Sequence, residues 1–127
     1  MLNGAPNASY GLAITGDRCI MKATDDSHEK EIRNMDLKCF QWTRQPKSFV
    51  VETDRVLITT LPHTDLWQRT YYHFRNDNAP VFQMETAKPY FSFVVHTSFA
   101  DSHHRFDQCG VVLYLDSENW LKASVEY

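Results

Sequence analysis

The strongest constraint on the fold of this 127-residue chain is the alternation of side chains in its C-terminal half. In residues 89–99, PYFSFVVHTSF, every second residue from Phe91 to Phe99 lies on one side and the intervening residues lie on the other. Residues 120–127, WLKASVEY, alternate in the same way. Side chains two positions apart share a face of an extended strand, whereas a helix repeats every 3.6 residues. Both segments are therefore predicted to be half-buried β-strands.

Further strands and turns follow from composition. Apolar residues flank a Glu-Thr-Asp-Arg turn in residues 48–61, which predicts a hairpin. Residues 64–74, TDLWQRTYYHF, are predicted to be one aromatic-rich strand, and residues 75–80, RNDNAP, a turn. CGVVLYL at 109–115 predicts another strand, and DSEN at 116–119 a turn. Closely spaced strands with little helix indicate an all-β fold, an antiparallel sandwich or barrel.

The first 37 residues are polar and weakly patterned. Thr24 or Asp25 could cap a short helix, with Glu29 as the capping partner, so this part is predicted to be one short helix or a tail. The predicted organisation is an N-terminal extension over residues 1–37 and a β-domain over residues 38–127.

Composition excludes several classes of function. The 13 basic and 16 acidic residues give a net charge of −3 without a basic run, so we expect no nucleic-acid partner. Without a long apolar run or a secretory signal at the N-terminus, we expect no membrane association and a cytoplasmic location. Three widely spaced cysteines are predicted to be reduced structural thiols, and neither they nor the histidines predict a metal site or cofactor.

Two predicted strands each carry a face that mixes aromatic and charged side chains. These residues are Asp65, Trp67, Arg69 and Tyr71 in the first strand and Trp120, Lys122, Ser124 and Glu126 in the last. The other face of the last strand is apolar and runs from Leu121 to Tyr127. Aromatic rings that stack on a pyranose, beside groups that hydrogen-bond to hydroxyls, suit a sugar ligand. The alternative is that Lys122 with Glu126, and Asp65 with Arg69, form cross-strand ion pairs that only solubilise the sheet.

Four short motifs together carry a family resemblance. They are W-x-x-x-P at 42–46, T-D-L-W-Q-R-T at 64–70, F-D-Q-C-G at 106–110 and N-W-L-K-A-S-V-E-Y at 119–127. With these motifs the chain resembles the uncharacterised regulation-of-enolase-like family. The resemblance implies a concanavalin A-like jelly roll of two antiparallel sheets, in which family domains continue with more strands after the last motif. We therefore expect a fragment, or a second copy or partner that completes the sheets. Alternatively, residues 1–37, which lie outside the match, add a strand or a cover.

The resemblance also implies a concave binding face. Together with Tyr71 from the alternation, the candidate ligand-binding residues are Asp65, Trp67, Arg69, Tyr71, Asp107, Gln108, Trp120, Lys122 and Glu126. Asp107 either joins that face or turns the chain between strands. The family usually has a small residue at position 109 and glycine at position 124, whereas this chain has Cys109 and Ser124.

The expected function is binding of a carbohydrate or another polar small molecule, with a regulatory role in carbohydrate metabolism. One rival is a protein-interaction module that recruits a partner, or a second copy, through an exposed sheet edge. Another is a glycoside hydrolase, for which Asp65, Asp107 and Glu126 are the available carboxylates. Hydrolases of this fold usually carry an E-x-D-x-x-E arrangement, which is missing from the sequence, so we predict no catalytic residues.

Overall fold

The computed structural model describes residues 8–15, 19–25, 33–34, 36–86, 93–99 and 104–126. In these ranges the protein is all-β, with one short 3-10 helix at Leu37–Cys39. The strands are β1 (Ala8–Thr15), β2 (Cys19–Asp25), β3 (Arg33–Asn34), β4 (Gln41–Arg44), β5 (Ser48–Val51), β6 (Val56–Thr59), β7 (Leu66–Gln68), β8 (Arg75–Asp77), β9 (Val81–Thr86), β10 (Phe93–Phe99), β11 (Gln108–Tyr114) and β12 (Trp120–Glu126).

The strands form two antiparallel sheets and a separate ribbon. The first sheet has the order β12-β11-β1-β9-β4. The second sheet has the order β10-β2-β6-β5, with β3 also paired to β2. The ribbon is the β7–β8 pair. The all-β antiparallel prediction is confirmed and the fold is consistent with a β-sandwich, while the jelly-roll connectivity stays a prediction.

Three local predictions were wrong. Thr24 and Asp25, the predicted helix caps, lie in β2, whereas Glu29, the predicted capping partner, lies outside the described residues. Residues 8–15 and 19–25 of the predicted extension supply strands to both sheets, as the alternative role of residues 1–37 supposed, while the division of the chain at residue 38 stays a prediction. The predicted long strand at 64–74 is only β7, and part of the predicted turn at 75–80 is β8. The hairpin predicted in residues 48–61 is confirmed as β5 and β6, and the strands at the C-terminal end are confirmed.

A buried core lies between the two sheets. Val56 and Ile58 from β6 pack with Phe82 from β9 and Cys109 from β11. At the far end, the rings of Trp42 and Phe49 lie 5.0 Å apart between β4 and β5. These contacts join facing strands, as the inner faces of a β-sandwich do.

A second apolar cluster lies on the other side of the first sheet. Leu66 of the ribbon and Ala79 pack on Val81, Val112 and Tyr114, with Trp120 at the margin. Leu66, Ala79 and Val81 are fully buried. The ribbon therefore covers the outer face of the first sheet, next to β11 and β12.

The cysteines differ from one another in state. Cys109 is fully buried and disulfide-bonded, whereas Cys39 is exposed and free. The prediction of three reduced thiols was therefore wrong for Cys109, because the fold brings a second sulfur to it that sequence spacing does not reveal.

The turn between β11 and β12 is organised by Asp116. Its Oδ1 accepts hydrogen bonds from the backbone N–H of Glu118 at 2.8 Å and from the side chain of Asn119 at 2.9 Å. The Asn119 side chain first, and the Glu118 backbone N–H second, lower the pKa of Asp116 from its ordinary value, because both stabilise the carboxylate.

Replacing Asn119 by alanine is expected to raise the pKa of Asp116 towards its ordinary value. A lowered pKa in the folded state contributes stability above the unfolded pKa, and this is lost as the pH falls through the folded pKa. In Asn119→Ala the stability contributed by the Asp116 carboxylate should therefore be smaller, and its loss on acidification should be complete at a higher pH than in the wild type. Carboxyl ¹³C titration by NMR measures this, and an unchanged Asp116 titration would contradict the assignment.

Candidate functional site

Lys122 joins the ribbon to the first sheet. Its Nζ donates to the carbonyl of Leu66 at 2.8 Å, to Gln108 Oε1 at 2.8 Å and to Asp65 Oδ1 at 3.4 Å. An ammonium has three N–H donors, and this set uses all of them. Only 12% of the Lys122 side chain is exposed. We call Lys122 and these partners the Lys122 network.

The sequence places the partners here for local reasons. Lys122 of β12 lies opposite Val112 of β11. Strand alternation points the Lys122 side chain to the ribbon side of the first sheet. Gln108, only 3% exposed, begins β11 and also accepts a hydrogen bond from Ser124 Oγ at 3.1 Å. Ser124 was predicted to lie on the polar face but not among the ligand-binding residues, although its position two residues after Lys122 is the signal that could have found it.

Asp65 and Trp67 form the ribbon side of the network. The Asp65 side chain is 26% exposed, and its backbone N–H donates to Asn78 Oδ1 at 2.8 Å, which fixes the residue where the ribbon begins. The Trp67 ring centre lies 5.6 Å from Lys122 Nζ, within the range of a cation–π contact. Trp67 is half-buried, and its indole N–H has no hydrogen-bond partner among the residues described. Asn78 is a supporting residue that the sequence did not single out.

A second link holds the outer end of the ribbon. Glu118, in the β11–β12 turn, accepts a hydrogen bond from Gln68 Nε2 at 2.9 Å and forms an ion pair with Arg75. Gln68 and Arg75 are opposite each other in the ribbon. The ribbon is thus tied to β12 through Lys122 and to the turn before β12 through Glu118.

Arg69 and Tyr71 do not share a strand face with Trp67, contrary to the prediction. The chain leaves the extended conformation at Arg69, whose φ is 53°, and φ is also positive at Tyr72 and His73. The side chains of Tyr71, Tyr72 and Phe74 are 62%, 83% and 53% exposed. We call residues 69–74 the ribbon tip.

The tip is an ordered turn with two adjoining rings. The Arg69 N–H donates to the Phe74 carbonyl at 2.8 Å, which closes the loop. The rings of Tyr71 and Tyr72 meet edge to face with centres 4.2 Å apart. A side-chain hydrogen bond with Tyr72 raises the pKa of Tyr71.

The remaining predicted site residues have other surroundings. Trp120 packs on the cluster under the ribbon. Asp107 turns the chain, because its Oδ2 accepts from the His104 N–H at 3.1 Å, and this was one of its two predicted roles. Glu126 is exposed at the end of β12, opposite Gln108. Lys122 pairs with Asp65 rather than with Glu126 as the ion-pair alternative supposed.

The chemistry of the site is that of a polar anchor beside an aromatic ring. Asp65 is the carboxylate in contact with Lys122, while Asp107 is engaged in its own turn. Over the described ranges, no group of three or more His, Cys, Asp or Glu side chains is arranged to hold a metal ion. Within the same ranges no helix has the length and apolar character needed to cross a membrane.

Comparison with known proteins identifies the family of this chain. Residues 42–127 match the family described as protein of unknown function (DUF1349). The chain belongs to this family. It is also 32% identical over 97 residues to Regulation of enolase protein 1 of Saccharomyces cerevisiae. That similarity covers 76% of this chain and 48% of the yeast protein, so the chain spans about half the length of that curated relative. No solved structure matches the chain significantly. The predicted family resemblance is confirmed, and the DUF1349 match contains the whole Lys122 network.

Proposed function

We propose that the face formed by the ribbon and β12 binds a carbohydrate or a related polyhydroxylated small molecule. The observation that carries this proposal is the partly exposed carboxylate of Asp65, held by Lys122, beside the half-buried ring of Trp67. A fixed acceptor next to an aromatic face is the combination that a sugar ring with its hydroxyls requires.

The residues have different roles in this proposal. Asp65 accepts a hydrogen bond from a ligand hydroxyl, and Trp67 stacks on the apolar face of the sugar ring. Lys122 is a positioning residue, because its three N–H groups already donate within the protein. Such preorganisation favours affinity because little ordering is left to occur on binding.

We include the ribbon tip in the proposed binding region, because it follows β7, the strand that contains Trp67, directly in the chain. Tyr71 lies four residues after Trp67, and Tyr72 is the most exposed of the large hydrophobic side chains in the described ranges. Exposed rings on a closed turn provide stacking area at low entropic loss. We assign the tip to additional units of the same ligand.

A regulatory role is part of the proposal. The name of the yeast relative describes regulation of enolase. We propose that this chain likewise acts as a regulator, with its carbohydrate ligand as the signal, rather than as a catalyst.

Substitution of Trp67 by alanine is expected to weaken ligand binding at least tenfold, about 1.4 kcal/mol. A glycan array with the purified chain identifies the ligand, and titration calorimetry then compares the variant with the wild type. Phe49→Ala is the matched control, because Phe49 is a 41% exposed aromatic residue at the opposite end of the sandwich.

Two results would contradict the proposal. One is a folded wild-type chain that binds no glycan on the array. The other is a ligand that binds Trp67→Ala and Phe49→Ala equally well.

A further inference from the structure

The two sheets of the sandwich do not have their edge strands at the same position at the β12 end. Val95 of β10 packs against the core cluster that contains Cys109 of β11, so β10 lies across from β11. In the first sheet β12 lies one strand beyond β11, whereas in the second sheet β10 is the last strand of the order. The first sheet therefore overhangs the second by one strand, and the end of the sandwich has the shape of a step.

The inner face of the overhanging strand is apolar, and no described strand covers it. Opposite residues of an antiparallel pair share a face, and Cys109, which is buried between the sheets, lies opposite Val125. On the same face Leu113 lies opposite Leu121. The exposed fractions are 42% for Leu113, 64% for Leu121 and 59% for Val125. These side chains have the orientation of core residues, but none of the strands in the described ranges lies across from them.

The step also leaves an open strand edge. In the described part of the second sheet, β10 pairs with β2 along one side. The other edge of β10 faces the position in the second sheet that lies across from β12. A strand at that position would pair with β10 and cover β12 at the same time.

We propose that two copies of this chain interlock at the step, so that β12 of each copy occupies the vacant strand position of the other. A two-fold axis parallel to the strands, midway between the sheets, brings this about. It places the partner's overhang in the plane of the second sheet, beside β10. Each β12 then lies face to face with its symmetry mate, about 10 Å away as in packed sheets.

The chemistry of β12 suits this position. A strand that covers the overhang needs apolar side chains at alternate positions, and Leu121, Ala123 and Val125 supply them. Lys122 and Glu126 point to the opposite face, so the contact buries no charge from β12. Leu115, 55% exposed just after β11, adds to the apolar area. The overhang is thus self-complementary, as a two-fold interface must be.

The assembly closes on itself. Both β12 strands and both open β10 edges are used once in the dimer, which leaves no template for further edge-to-edge addition at the step. Two small apolar faces joined with two strand edges form a modest interface, so the dimer is expected to dissociate at micromolar concentrations.

Sedimentation equilibrium of the whole chain tests the proposal. The wild type should form dimers at tens of micromolar, and Leu121→Lys should weaken dimerisation at least a hundredfold, because it places an unpaired charge on the interface. Val50→Lys is the control, since Val50 is 57% exposed on β5, at the other end of the second sheet. Circular dichroism verifies that both variants fold.

The geometry needs a separate measurement. In a Cys39→Ser background, nitroxide labels at Glu126→Cys should give a short distance between copies, since the two β12 strands face each other. Labels at Val50→Cys should be much farther apart. A monomeric wild type, a dimer that tolerates Leu121→Lys, or labels at 126 no closer than labels at 50 would each overturn the proposal.

Discussion

Replacing Gly110 by alanine is expected to abolish the pairing of β12 with β11. A Cβ at this position would lie 2.5 Å from the Ser124 Cα and closer still to the carbonyl oxygen of Ala123. Both are backbone atoms of β12, so a rotamer change cannot relieve the clash. Because β12 carries Lys122, the ribbon would lose its anchor as well. The expected destabilisation exceeds about 4 kcal/mol, which is exceptional for one methyl group.

Urea denaturation measures this loss, and amide exchange shows whether β12 opens first. Ser124→Ala is the matched control at the partner position, where only the hydrogen bond to Gln108 is removed. It should lose about 1 kcal/mol. A Gly110→Ala protein as stable as Ser124→Ala would refute the close approach of the two strands.

Replacing Lys122 by methionine is expected to reduce the free energy of unfolding by about 2–3 kcal/mol. Methionine keeps the unbranched shape and most of the length of the side chain but removes all three donors. The buried Gln108 side chain and the Leu66 carbonyl then lose their lysine donor, and Asp65 loses its counter-ion. Amide protection in the ribbon should fall further than in the sandwich core.

The same substitution at Lys47, an exposed lysine before β5, is the control and should change stability by less than about 0.5 kcal/mol. Equal effects at the two positions would show that the Lys122 network is not a structural anchor. If Lys122→Met also weakens ligand binding more than its stability loss explains, the positioning role of Lys122 is supported.

Much of the network could be predicted from the sequence because motif and alternation agree there. Asp65, Trp67, Gln108 and Lys122 stand in the recognised motifs, and the structure brings them into one network. Arg69 and Tyr71 could not be placed, because a left-handed backbone at a non-glycine residue has no clear sequence signal. The positions of β1 and β2 could not be predicted, since tertiary pairing, not local pattern, determines them.

Alternation also has a limit that β12 illustrates. It predicts which side chains share a face, and Leu121 and Val125 do point to the inner side of the sandwich. It does not predict whether another layer covers that face. In this structure the face with Lys122 is the more buried one, because the ribbon lies over it.

The backbone conformation of the ribbon tip determines which substitutions would stabilise the chain. Arg69, Tyr72 and His73 each hold a left-handed conformation that disfavours a Cβ, by roughly 1 kcal/mol or more per residue. Glycine at any of the three would relax the turn and raise stability. The side chains at these three positions are therefore retained at a cost in folding stability. Under selection for stability alone, we expect glycine to replace them early.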